Sequence, residues 1–286
     1  MNNFGDNVII TGPARSGTTL VCFLLNQLEN TVALDEPMDT IELASLKSDQ
    51  DIVSYTQKFF NSSREAINNT KFARSKNIGG ESIDNPYGEV LNKNGFREVK
   101  KGISQNNLFS VRKNLKVDFK LCVKHPAIFS ALLGPLSKSF TCVGVVRNPL
   151  AILASWNSVQ IPANQGRAPA AEMIDDTLRL NLNRIPCVFD RQLFLLSWYF
   201  ERIYRNISSD RLILYEELIA SKGIALTAVT DNARNCSFPL ENKNTNALYD
   251  PKLIQELGAK LLNFDGAFWE YYDKSCVESL ISEWIA

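Results

Sequence analysis

Hydrophobic positions along this chain follow two rhythms. Four short runs are apolar on both faces: Asn7–Thr11 (NVIIT), 119–124 (FKLCVK), 141–147 (TCVGVVR) and 212–215 (LILY). Short β-branched runs with no polar face predict strands covered on both sides. Longer segments carry apolar residues at helical spacing, over about 18–28, 52–67, 150–158, 171–183, 192–206 and near the C-terminus. Pro149 stands at the first turn of the 150–158 segment, where its missing N–H costs nothing. This strand–helix alternation predicts an α/β fold: a central parallel sheet flanked by helices. Residues 76–107 are polar, rich in Gly and Asn and without a steady period, so they read as a loop-rich insertion. No repeat or low-complexity linker interrupts the chain, which predicts a single domain over residues 1–286.

The chain has 286 residues, 31 Lys and Arg against 31 Asp and Glu, and a formal net charge of zero. A chain of this length buries a sizeable core. A balanced charge lacks the basic excess that holds polyanions, so nucleic acid and charged membrane surfaces are not expected partners. An anionic ligand must therefore be caught by locally placed cations. Residues 1–6 are polar, the first apolar run is too short for a signal segment, and no window reaches 18 apolar residues. Six cysteines lie far apart with no C-x-x-C pair, which suits reduced thiols. Together these features predict a cytoplasmic protein with no membrane span. The alternative is a luminal Golgi fragment, in which the Asn-x-Ser/Thr sites at Asn61, Asn68, Asn206 and Asn235 would matter.

The most specific motif follows the first strand: Gly12-Pro13-Ala14-Arg15-Ser16-Gly17-Thr18-Thr19. Its glycines have the spacing of a P-loop, between a strand and a helix as that loop requires. Successive backbone N–H groups and the helix N-terminus make such a turn a phosphate cradle. Where a nucleoside-triphosphatase loop has Lys, this chain has Thr18, and Arg15 inside the loop supplies the cation instead. The loop is thus expected to hold a phosphate outside ATP chemistry.

Arg15-Ser16-Gly17-Thr18-Thr19 resembles the 5′-phosphosulfate loop of sulfotransferases that use 3′-phosphoadenosine 5′-phosphosulfate (PAPS), whether Golgi-type or bacterial carbohydrate enzymes or tyrosylprotein enzymes. That family's second signature is a strand ending in Arg, then Asn/Asp-Pro, then a Ser on the next helix. Here Arg147-Asn148-Pro149 and Ser155 match it, and the resemblance implies that Arg147 and Ser155 bind the 3′-phosphate. Arg147 leaves a strand at its carboxyl end, where open α/β sheets bind ligands. The resemblance further implies a P-loop-type three-layer fold, PAPS as co-substrate and no metal.

Between the signatures stands Asp35-Glu36-Pro37. In Golgi-type and bacterial members a Glu in this region is the general base, and an acceptor hydroxyl needs one. The resemblance therefore points to Glu36, with Asp35 able to share the role. Lys124-His125-Pro126 resembles the Lys-x-Pro of tyrosine-type members, which implies that Lys124 stabilises the bridging oxygen and departing phosphate. His125, the one histidine of the chain, is the other candidate base, as in cytosolic members, although the spacing after the Lys differs. Tyr215-Glu216-Glu217-Leu218 resembles the family's Tyr-Glu-x-Leu, so Tyr215 either packs near the nucleotide or fills the core. The Arg-Lys-Gly segment of cytosolic members is missing; Lys243 and Lys252 are the nearest substitutes for a C-terminal lid.

The expected reaction is in-line transfer of a sulfuryl group to an acceptor hydroxyl. A saccharide is preferred as acceptor over a peptide tyrosine or small alcohol, and 76–107 and 160–170 are expected to border its pocket. A P-loop kinase or ATPase, and a non-catalytic nucleotide-binding protein, are the alternatives.

Overall fold

The structure is a computed structural model that describes residues 6–104 and 107–285. Residues 1–5, 105, 106 and 286, which fall within the expected domain and insertion, lie outside the described residues. Five strands form one parallel sheet: β1 (Asn7–Thr11), β2 (Thr31–Asp35), β3 (Lys120–Lys124), β4 (Thr141–Val146) and β5 (Leu212–Leu214), in the order β5-β4-β1-β3-β2. All four pairings are parallel.

The double-sided apolar character of the strands has a direct structural consequence. Val8, Ile10, Ala33, Cys122, Val143, Val145 and Ile213 face one apolar cluster, to which α1 (Thr18–Leu25) brings Val21, Cys22, Leu24 and Leu25. The alternate residues Ile9, Val32, Leu34, Leu121, Val123 and Val146 face a larger cluster on the other side. There α2 (Asp49–Thr70), α3 (Pro126–Ala131), α4 (Pro149–Asn157), α5 (Val188–Asn206), α6 (Pro251–Leu262) and α7 (Lys274–Ile285) supply the cover. A period of two thus feeds two cores, and the protein has the expected three-layer α/β fold with a central parallel sheet flanked by helices.

Two expectations change in detail, and one strand joins those expected. The run at 31–34 is a strand, β2, at the sheet edge. The helix expected over 171–183 is split into Pro169–Glu172 and Asp176–Arg184. Asp175 breaks it by capping the second piece through Leu178 N–H while binding Trp198 Nε1 and Arg202. Residues 76–107 are less irregular than their composition suggests. Phe72–Arg74 pairs with Leu108–Ser110, Asn77–Ile78 with Ile103–Ser104, and Tyr87–Leu91 with Arg97–Val99, all antiparallel. They form one bent arm, turning at Asn92, whose Oδ1 accepts the N–H groups of Asn94 and Phe96. Its base is tied to β2, since Lys76 N–H donates to the Asp35 carbonyl and Asp35 N–H to Ser75 Oγ. Its outer half is tied to α4, where Arg97 N–H donates to the Ser158 carbonyl. Among the described residues no helix is long and apolar enough to cross a membrane.

Because the strands are parallel, their carboxyl ends share one edge of the sheet. Gly12, Glu36, His125, Arg147 and Tyr215 are the first residues beyond β1, β2, β3, β4 and β5.

Candidate functional site

The turn after β1 is shaped by what its glycines avoid. A methyl group on Gly12 would stand 2.1 Å from the Val145 carbonyl oxygen, so only glycine lets the loop leave β1 this close to β4. Arg15 (φ 70°) and Gly17 (φ 103°) are left-handed, and Ser16 N–H closes the turn on the Pro13 carbonyl. Gly17 caps α1 without any side-chain hydrogen bond to the first-turn amides. The helix start therefore keeps its partial positive charge for a ligand. Ser16 Oγ is buried without a hydrogen-bond partner, as expected of a hydroxyl that belongs to such a cradle.

Two arginines stand over this loop. Arg15 donates through Nε to Ser155 Oγ (3.0 Å) and through Nη1 and Nη2 to Asn85 Oδ1 (3.2 Å each), with its guanidinium 4.8 Å from the Tyr87 ring centre. Arg147 donates to Asn244 Oδ1 (2.7 Å), the Lys243 carbonyl (2.6 Å) and the Arg15 carbonyl (3.2 Å), and lies 4.5 Å from the Tyr215 ring centre. Neither makes an ion pair among the described residues; every partner is a neutral oxygen or a ring. Burial, with repulsion from Arg97 and Arg147, lowers the Arg15 guanidinium to about 10. Arg147 is buried and Arg15 half-buried; a cation withdrawn from water without an anion is costly, so both side chains are arranged for an anion that the described residues do not supply.

Next along the edge, β3 and β2 bring opposite charges together. Lys124 Nζ lies 2.8 Å from Asp35 Oδ1 and 2.8 Å from Glu36 Oε1, and it donates to Thr19 Oγ1 at 3.3 Å. Lys76, on the arm, holds the other oxygen of Glu36 at 2.9 Å. Burial alone would raise the Glu36 carboxyl, but Lys124 and Lys76 hold it well below the usual carboxylate range. Burial also opposes the Lys124 ammonium, and Asp35 and Glu36 outweigh it, keeping the lysine charged. Glu36 has a left-handed backbone (φ 51°), which turns its side chain back towards Lys124 as its N–H donates to the Lys124 carbonyl. His125 is otherwise engaged. Its Nε2 accepts the Met38 N–H at 3.1 Å, and burial pushes it down to about 3. In this geometry His125 is a neutral support for the Glu36 loop.

A cavity of about 670 Å³ opens over the loop. Its floor is Arg15, Gly17, Thr18 and Thr19; its inner wall is Arg147, Tyr215 and Tyr249. Leu20, Ile219, Pro239 and Leu240 form an apolar flank, and the arm closes the opposite side with Asn85, Gly88, Arg97 and Lys100. Tyr215 both lines this space and packs against Gly17, while its hydroxyl accepts the Lys243 N–H. Lys243 lines the cavity, whereas Lys252 is an exposed first-turn residue of α6. The arm borders this cavity, and part of 160–170, with Pro162, Gln165 and Arg167, lines a separate shallow groove. Arg15, Thr18, Thr19, Arg147 and Tyr215 thus line one space, with Ser155 joined to it through Arg15 and Lys124 through Thr19, while Ser16 is buried within the loop.

Sequence reasoning did not find Lys76, Asn85, Arg97, Tyr249 or Glu216. Glu216 Oε1 accepts from Asn148 N–H and Asn244 Nδ2, and Oε2 from the Tyr272 hydroxyl, so it ties the turn after β4 to the C-terminal segment. Only Glu216 carried a local signal, its place beside Tyr215; the others lie on segments without a motif.

No family model and no curated protein matches the chain. Among solved structures the chain is similar to sulfotransferase STF1 from Mycobacterium tuberculosis H37Rv (type1 form), at 12% identity and a TM-score of 0.36, over 91% of this chain and 77% of that one. At that level of similarity, roles for individual residues rest on this chain's own geometry.

Proposed function

We propose that the protein is a PAPS-dependent sulfotransferase acting on an acceptor hydroxyl. The observation that carries the reading is the half-buried Arg15 and the buried Arg147, which share one cavity with a P-loop turn and have no carboxylate partner among the described residues. A nucleotide with phosphate on both sides of its ribose suits that arrangement. The loop amides, Arg15, Ser16, Thr18 and Thr19 would take the 5′-phosphosulfate, Arg147 and Ser155 the 3′-phosphate, and the flank of Leu20, Ile219 and Leu240 the base. The orphaned Ser16 hydroxyl and the uncompensated arginines fit such a donor.

Chemistry follows from the pairing at the ends of β2 and β3. Lys124 exchanges Glu36 Oε1 for the bridging oxygen of the donor, where negative charge grows in the transition state. That exchange frees Oε1, while Lys76 keeps the carboxylate oriented through Oε2. Glu36 then takes the acceptor proton as the acceptor oxygen bonds to sulfur. The sulfur–oxygen bond to the 5′-phosphate breaks, and its electron pair leaves on the phosphate. Until Lys124 moves, a carboxylate held by two ammonium groups is a weak base, so proton removal waits for the donor. A saccharide hydroxyl is the first acceptor class to screen, given the family resemblance of a Glu base.

Thermal shift with 3′-phosphoadenosine 5′-phosphate against ATP plus magnesium tests the donor, because a ligand of the native state raises its melting temperature. Stabilisation by the bisphosphate is expected; stabilisation by ATP alone sinks the reading. In Glu36→Gln, transfer from labelled PAPS is expected to fall by about 10²-fold or more with bisphosphate binding retained. Undiminished turnover would move the base elsewhere.

A further inference from the structure

The arm carries a third arginine into the cavity. The Arg97 side chain is 2% exposed although it belongs to a surface hairpin, and it lines the cavity wall. Its Nε donates to the Gly88 carbonyl (2.8 Å), and its Nη2 meets Glu89 Oε1 at 3.1 Å. Glu89 itself is 62% exposed, and an ion pair with a solvated carboxylate is weak and easily exchanged. Arg97 N–H is fixed on the Ser158 carbonyl, one turn beyond Ser155 on the same chain segment.

Arg15, Arg97 and Arg147 line the same cavity as Tyr249. Burial raises this phenol, but Arg147, a hydrogen bond with Ser155, Arg15 and Arg97 together bring it below its ordinary value. The acids on the cavity wall do not neutralise the cluster. Asp84 pairs with Lys100, Glu241 with Lys243, and Glu89 meets Arg97 from the exposed side. Arg15 and Arg147 leave about two positive charges, whereas a 3′-phosphorylated phosphosulfate brings about four negative ones, since a phosphate monoester alone carries about −1.5 to −2. Arg97, a third guanidinium on the cavity wall, narrows that gap.

Resting on the sulfotransferase reading above, we propose that Arg97 is a specificity-determining residue that selects nucleotides bearing a 3′-phosphate, exchanging the exposed Glu89 for that phosphate. The arm is then part of the donor site: it carries both Asn85, on Arg15, and Arg97, anchored through its N–H on the Ser158 carbonyl. Removing the 3′-phosphate from the ligand removes the partner that Arg97 shares with Arg147 and Ser155, and leaves the contacts to the 5′ side and the base in place.

The test compares dissociation constants of 3′-phosphoadenosine 5′-phosphate and 5′-AMP, by titration calorimetry, in the wild type and in variants. Arg97→Gln is expected to lose about 10- to 100-fold of the preference for the bisphosphate, with 5′-AMP affinity unchanged, the worth of one charged hydrogen-bonded contact. Arg97→Lys should recover part of it. Glu89→Gln, which leaves Arg97 in place and removes its competitor, should tighten the bisphosphate and not 5′-AMP. An unchanged preference in Arg97→Gln, or equal losses for both ligands, overturns the proposal and leaves the sulfotransferase reading standing. If the wild type binds neither ligand, that reading falls and the proposal with it.

Discussion

His125 accepts the Met38 N–H through Nε2, which fixes the neutral imidazole with its proton on Nδ1. A folded pKa near 3, against an ordinary histidine near 6.5, means that the unfolded chain binds one more proton between those values. Stability contributed by this group is therefore complete above about pH 6.5 and is lost progressively as pH falls. Glu36, held below its ordinary value, acts in the same direction at lower pH: its contribution is present above the unfolded carboxylate pKa and lost as pH drops. Between pH 6.5 and 5 the histidine alone is expected to remove up to about 2 kcal/mol. Urea unfolding at stepped pH measures this loss. His125→Gln, which keeps an acceptor for Met38, should flatten the slope in that window. Equal slopes in both proteins would show that the imidazole is not held neutral.

At the scale of elements, the turn between β1 and α1 depends on contact with β4. Gly12→Ala puts a methyl group into the Val145 carbonyl, a clash with backbone that cannot rotate away. The expected cost is about 1–3 kcal/mol, as for overpacking elsewhere, read by denaturant midpoint. Bisphosphate binding should fall with it, because the loop moves relative to Arg147. A stable variant with intact binding would mean that β1 and β4 separate freely at this point. The same contrast explains what was legible beforehand. β1, β3, β4 and β5 could be read within a residue or so, because strands buried on both faces cannot hide their composition. The arm could not be read, because its strands are two to five residues long and expose much of their surface, as Val90, Val99 and Leu108 do. Arg15, Lys124 and Arg147 stand at strand ends, where spacing from an apolar run locates them. Lys76, Asn85 and Arg97 reach the same place by tertiary pairing across the arm, and no local spacing encodes that.

For the whole molecule, zero net charge coexists with a concentrated positive cavity. Elsewhere opposite charges meet in pairs, such as Arg202 with Asp175 and Lys260 with Asp190, whereas Arg15 and Arg147 have no carboxylate partner among the described residues. The cavity is assembled from segments far apart in the chain: the loop after β1, the arm, the end of β4 and residues 239–249. A ligand bound there couples all four. Hydrogen exchange should therefore slow on adding 3′-phosphoadenosine 5′-phosphate, both in 84–100 and in 239–249, with little change along α2. Protection confined to the loop after β1 would show that arm and C-terminal segment do not share the ligand.

Asn85 gives the arrangement its last consequence. Its single carbonyl oxygen receives two N–H groups of Arg15, the two-pronged posture that a guanidinium adopts towards an oxyanion. An uncharged placeholder of this kind sets an entry toll. A stray chloride, sulfate or phosphate must evict Asn85 with the few contacts that one small ion can make. On the proposed function, a nucleotide would arrive with a base and a second phosphate already engaged, and would dislodge the amide at little further cost. On that reading Arg15 would stay ready for the nucleotide in a salty solution while Asn85 holds off the commonest small anions.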